Sequence, residues 1–152
     1  MSRKAAGVGG PAGQEGFVRA CWAAITLGIV ETAVATARGQ LARRRTSMRA
    51  FDQVEWSRAE MESWLIEQAY AGMLRAIETQ QHAGQQTLMA KLAIAELAES
   101  ALGRICRILG GSAYTHSSPY GYWFEDVRAL GFLRPPWAFA FETHFNTAWP
   151  EG

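Results

Sequence analysis

TLMAKLAIAELAESALGRICRIL, residues 87–109, runs without a break into GGSAYTHSSPYGYWFEDVR, residues 110–128. In the first stretch Leu88, Lys91, Leu92, Ala95, Ala98, Leu102, Ile105 and Leu109 recur at steps of three and four. That period stacks side chains on one face of an α-helix, and the alanines on the stripe let a neighbouring helix come close. Gly110 and Gly111 then suit a helix end, because glycine adopts the left-handed cap at little cost. A Ser-, Tyr- and Thr-rich loop leads to Pro119. Residues 120–131, YGYWFEDVRALG, can form a further helix, which Arg134-Pro135-Pro136 must end or redirect.

Working back from this stretch, the segment from Phe17 to Arg45 has no proline, and Ala, Leu, Ile and Val dominate nearly every turn. A helix apolar on all sides is expected to be central and buried. Its end carries Arg38, Arg43, Arg44, Arg45 and Arg49 with no acid between Glu31 and Asp52, which places cations at the negative end of the helix dipole. From Phe51 to His82, the apolar residues Val54, Met61, Leu65, Tyr70, Met73, Leu74 and Ile77 predict an amphipathic helix. On that reading Glu60, Glu62 and Glu67 form its solvated face, and Ala83-Gly84 is the break before the next helix. Short connections between long helices imply antiparallel neighbours. The expected fold is therefore all-α, an antiparallel up-down four-helix bundle over residues 16–149. It follows a flexible arm at residues 1–15 and ends in an aromatic tail, WAFAFETHFNTAW, residues 137–149. In this context the tail is expected to be a short helix packed on the bundle or on another subunit, although Trp137, Phe139 and Phe141 also alternate as in a strand.

Composition narrows the function classes. Of 152 residues 49% are hydrophobic and 19% charged, enough apolar material for a full core. Fifteen Lys and Arg against fourteen Asp and Glu leave +1, so no overall field favours nucleic acid or an anionic membrane. No 18-residue apolar run is free of charge, since Arg19 and Glu31 interrupt it, which argues against a membrane span. Cys21 and Cys106 lie in apolar helical patterns and read as buried, reduced thiols of a cytoplasmic protein. His82, His116 and His144 lack metal-site spacing, so no metal is expected. Neither a P-loop nor a dinucleotide-binding glycine motif is present. The arginine cluster fits either a phosphate grip through charge-assisted bonds or a solvated helix end.

These residues together resemble the C-terminal helical domain of the acyl-CoA dehydrogenase flavoprotein family. That family's helix ending in GGxGY, then a proline, then RDxR stands here as Gly110, Gly111, Ala113, Tyr114, Pro119, Glu125, Asp126 and Arg128 with every spacing kept. Arg19, Ala23, Ala24, Leu27, Gly28, Ala33 and Ala37 follow the domain's first helix in an ungapped register reaching Arg44. Ala59-Glu60-Met61 and Ala90-Lys91 match two further short elements.

The resemblance implies FAD and acyl-CoA as ligands, with oxidation of the acyl CH–CH group by an assembly larger than this chain. It would need a second copy or a flavin-bearing partner, because the family's other two domains are absent. It places Arg44 at the flavin pyrophosphate, Gly110 and Gly111 at the adenosine side of the same cofactor, with Arg107 a further cofactor-binding candidate beside them, and Arg19 at the border of the acyl-CoA site. Departures accompany the match: Ser47 and Met48 stand near a Phe-Gly pair, Asp52 and Arg107 replace glutamines, and Glu125 replaces an arginine. Arg134 occupies the position where many members carry the Glu that removes the α-proton, and Val18 occupies the alternative base position. Neither can accept a proton, so the catalytic base is unassigned, Glu142 being the only acid between Asp126 and Glu151. A non-catalytic oligomerisation module of the same ancestry is the alternative expectation. A flavin-dependent monooxygenase relative, which needs no such base, is a third.

Overall fold

The computed structural model describes residues 11–149, with side chains from residue 13 onward. Five helices follow one another: α1 (Pro11–Ala42), α2 (Ala50–Thr79), α3 (Ala83–Leu109), α4 (Tyr120–Phe132) and α5 (Trp137–Ala148). Short 3-10 turns at Arg45–Ser47 and Gly110–Tyr114 follow α1 and α3, and no strand occurs among the described residues. The chain is thus all-α, and the aromatic tail is helical. Helix begins at Pro11, inside the stretch expected as an arm, whose residues 1–10 lie outside the described ones.

α3 is the axis of the molecule and touches each of the other four helices. Its stripe is buried as the periodicity requires: Leu88, Leu92, Ala98, Leu102 and Ile105 are all in the interior. Ala98, Leu102 and Ile105 meet Ala23, Val30, Ala33 and Ala37 of α1, Ala59, Ile66 and Met73 of α2, and Val127 and Leu130 of α4 in one continuous core, while Leu88 and Leu92 belong to a smaller cluster. Each large apolar side chain removed from water there contributes about 1.5–3 kcal/mol. Long-range hydrogen bonds fix the directions. Arg19 near the start of α1 reaches Gly84 and Thr87 at the start of α3, and Arg44 past the end of α1 reaches Ile108 near the end of α3. These two helices run parallel, whereas Arg104 late in α3 bonds Glu55 and Glu62 early in α2, so α2 and α3 run antiparallel.

Several expectations are corrected. α1 is not buried all round: Phe17, Val18, Trp22 and Ile25 are exposed, and so is Cys21, leaving Cys106 as the only buried thiol. The reason is geometric, since the neighbours of α1 are served by its alanine and valine positions and leave the opposite side uncovered. By length and composition α1, over Gly13–Ala42, could cross a membrane, so the interrupting charges do not exclude it; in this fold its small residues line the core instead. α2 is rotated from the face read in the sequence. Ala59, Ile66, Met73 and Ala76 are buried, whereas Val54, Met61 and Leu74 are exposed, and Glu62, expected in solvent, lies in the interior beside Glu55. α2 also stops earlier, with Gln80 and His82 in the left-handed region (φ 57° and 49°), and Ala83-Gly84 opens α3 rather than preceding it. α5 is held on α3 where Ala140 seats against Leu88 and Leu92.

Candidate functional site

The residues singled out in the sequence fall into two sets at opposite ends of the parallel pair α1 and α3. Twenty-five residues separate Arg19 from Arg44, which at the helical rise places them about 38 Å apart. Arg44, Arg107, Gly110 and Gly111 come together; Arg19 does not join them.

At the end of α3, one Arg44 Nη donates to the Ile108 carbonyl at 2.8 Å, a carbonyl that the helix itself leaves without a partner. Gly110 caps the helix at φ +68°, its N–H donating to the Cys106 carbonyl. No heavy atom lies within 4 Å of where a Cβ on Gly110 or Gly111 would stand, so both are open to an incoming group. Arg107 is exposed, donating through Nε to Gly103 O at 3.3 Å and approaching Glu55 at 3.6 Å. The buried Ala113 anchors the following turn. Tyr120, its hydroxyl pushed up to about 12 by burial, donates to Gln40 at 3.3 Å and ties α4 to the end of α1. A cavity of about 340 Å³ opens beside it, lined by Gln40 and by hydroxyls including Ser112 and Thr115.

On the other side of the α1 end lies a cavity of about 770 Å³ bounded by Arg38, Arg45, Gln53, Trp56 and Glu60. Arg38 is neutralised there by Glu60 at 2.8 Å. Arg43, Arg44, Arg45 and Arg49 have no salt bridge among the described residues, so this end carries uncompensated positive charge.

The second set lines a groove of about 680 Å³ between the start of α1, the start of α3, the Arg134–Pro136 corner and α5. Both positions at which dehydrogenase relatives are expected to carry a base, Val18 and Arg134, face this one space together with Arg19. Arg19 is nearly buried, its side chain 11% exposed, and held on three sides: Gly84 O at 3.3 Å, Thr87 Oγ1 at 3.1 Å and Glu15 at 3.1 Å. Glu15 is the only carboxylate on the groove wall among the described residues, and Arg19 already holds it. Glu142 is exposed on α5 and does not line the groove. Beneath the groove, the buried Lys91 donates to the carbonyls of Leu133 and Pro135. Burial, and secondarily the charge of Arg19, lower its pKa to about 8.

Two features escaped the sequence reading. Glu55 and Glu62 are buried and share Arg104, whose Nη1 lies 2.6 Å from Glu55 and whose Nε lies 2.9 Å from Glu62, and Ser100 adds a bond of 2.9 Å to Glu62. The Glu62 hydrogen bond is the main cause holding the Arg104 pKa above its ordinary value. The available signal was phase, because Glu55 and Glu62 fall on the same helical face as Ala59, Ile66 and Met73. The second is the role of Lys91, read as part of the stripe and of the Ala90-Lys91 element, in anchoring the corner that carries Arg134.

Comparison with known proteins places this geometry. A family profile described as "Acyl-CoA dehydrogenase, C-terminal domain" matches residues 14–134. Among solved structures, a nitrososynthase from Micromonospora carbonacea var. africana is similar in fold, with a TM-score of 0.80 at 24% identity. That similarity covers 92% of this chain but 39% of the nitrososynthase, so the chain spans well under half of that protein's length. No curated protein matches.

Proposed function

The chain belongs to the acyl-CoA dehydrogenase C-terminal domain family, and from this we propose that it supplies one helical wall of a flavin-dependent acyl-CoA-oxidising assembly completed by a flavin-bearing partner chain or a second copy. The observation that carries the reading is the meeting of Arg44, Arg107, Gly110 and Gly111 at one end of α3. Their donors fit the cofactor's phosphates. Arg44 has N–H groups left beyond the one given to Ile108, and the open glycines permit close backbone approach. Bound FAD would supply the hydride acceptor. Arg44 would hold its pyrophosphate, Arg107 and the two glycines its adenosine side, and Arg19, fixed by Thr87 and Gly84, would border the acyl-CoA. No free carboxylate faces the groove among the described residues, so the base would come from elsewhere or be lacking. The separation of about 38 Å expected between Arg19 and Arg44 from the helical rise suits a wall that serves two sites, as in a bundle of four helices carrying α5 as an appendage. Two free cysteines with no disulfide support a cytoplasmic setting.

The test is co-expression with a chain encoding the family's other two domains. The wild-type assembly is expected to retain FAD by its visible absorbance, and Arg44→Ala to weaken retention at least tenfold with unchanged assembly size, as for loss of a charge-assisted contact. The second reading, a packing module without chemistry, is favoured by the use of Arg44 to cap α3. It predicts no flavin effect from Arg44→Ala. If no combination retains FAD or binds acyl-CoA, the flavin reading fails.

A further inference from the structure

The geometry points to the groove at the start of α1 and α3 as a site for an acyl group carrying its own carboxylate, with Arg134 as the residue that reads the anion. This deepens the proposed function by naming the substrate class of that wall.

Charge is the first ground. Arg19 and Arg134 face this space with Glu15 as the only acid on its wall among the described residues. Arg19 spends its guanidinium on Glu15, Thr87 and Gly84. Arg134 has no salt bridge or side-chain hydrogen bond among the described residues and is exposed at the groove, so it is the cation left for a ligand. A planar guanidinium is suited to a carboxylate, which it can engage through two parallel N–H bonds.

Positioning is the second ground. A cation on a loose loop makes a weak recognition element, but the Arg134 corner is pinned from below. Lys91 donates to the carbonyls on either side of Arg134, those of Leu133 and Pro135. The backbone bearing Arg134 is thereby preorganised, which lowers the ordering cost of binding.

The remaining walls are mostly apolar, formed by Val18, Leu88, Pro135, Pro136 and Phe139, with Gln14 and Thr143 as their polar members. The volume, about 680 Å³, lies in the range of small-molecule sites, which combine apolar walls with a few placed polar groups. An anion with an apolar chain satisfies both features; a neutral acyl chain leaves Arg134 unmatched, and a cation is repelled.

The probe is octanoate, titrated calorimetrically into the full chain beside octanamide and octylammonium, with Arg134→Gln as the variant. Because Arg134 is exposed and makes no side-chain bond among the described residues, the variant is expected to keep the wild-type circular dichroism and melting temperature. Saturable octanoate binding, at least fivefold weaker binding of both other probes, and at least a fivefold loss in Arg134→Gln support the inference. Absent octanoate binding, equal binding of octanamide, or a loss below fivefold in the variant overturns it. Flavin retention in the co-expressed assembly is read in parallel: retained FAD without octanoate binding sinks only this inference, and octanoate binding without FAD sinks only the cofactor reading.

Discussion

Arg44 illustrates how one side chain serves structure and ligand at once. Its bond to Ile108 satisfies a carbonyl at the negative end of the α3 dipole. Arg44→Ala is therefore expected to lower unfolding free energy by about 0.5–1.5 kcal/mol, as for an ordinary hydrogen bond, a shift readable by urea titration. A loss of FAD without that small loss of stability would mean the bond to Ile108 does not form in solution. The two cysteines differ as sharply. Cys21 is exposed, whereas burial pushes the Cys106 thiol up, against a smaller lowering by Tyr114. In dilute native protein, Cys21 is expected to react with a thiol reagent and Cys106 only after unfolding. Mass spectrometry of the labelled peptides distinguishes them. The sequence placed both in apolar helical surroundings, and nothing in a single helix says which side its neighbours will cover.

At the level of elements, the α2–α3 seam holds its helices with charge as well as apolar contact. Removing Arg104 leaves Glu55 and Glu62 buried with Arg58 and Arg107, both more than half exposed, as the nearby cations. Arg104→Leu is expected to cost about 3–5 kcal/mol of stability, the scale for stranding buried charge, and denaturant titration checks it. A cost below 1 kcal/mol would mean water reaches both carboxylates. At the other end of α3, Lys91 has a folded pKa of about 8 against an ordinary 10.5. Between these values the unfolded chain binds a proton that the folded chain does not, so stability rises with pH across the window. From pH 8 to 10 the gain attributable to Lys91 is on the order of 2 kcal/mol. It should vanish in Lys91→Met, compared with wild type by melts at each pH. The α3 stripe was legible because every position on it meets a neighbour. The acids of α2 were misread because charge alone does not reveal a partner on another helix.

Across the whole molecule, apolar surface is left uncovered on one side of α1, at Val18, Trp22 and Ile25, and on α5, at Phe139, Phe145 and Trp149. Patches of that kind mark surfaces that pack against something. The isolated chain is expected to self-associate as concentration rises, seen by sedimentation velocity, with Cys21 labelling slowing in step because Cys21 lies on the exposed side of α1. Trp22→Glu should return it to monomer. A concentration-independent monomer mass for wild type would show that the α1 face needs a different partner.

The sequence by itself determined the helical fold class, the apolar stripe of the 87–109 helix, the glycine-rich end after it and the family motif, because these depend on local periodicity and cap chemistry within one segment. Only the tertiary structure decided the rest. It showed which side of α1 is bare, paired Glu55 and Glu62 with Arg104, gathered Arg44 with Gly110, and set Arg134 over Lys91 in one groove with Arg19. Each of these joins residues distant in the chain, and the energy that joins them comes from the rotation and direction of packed helices, which no single helix encodes.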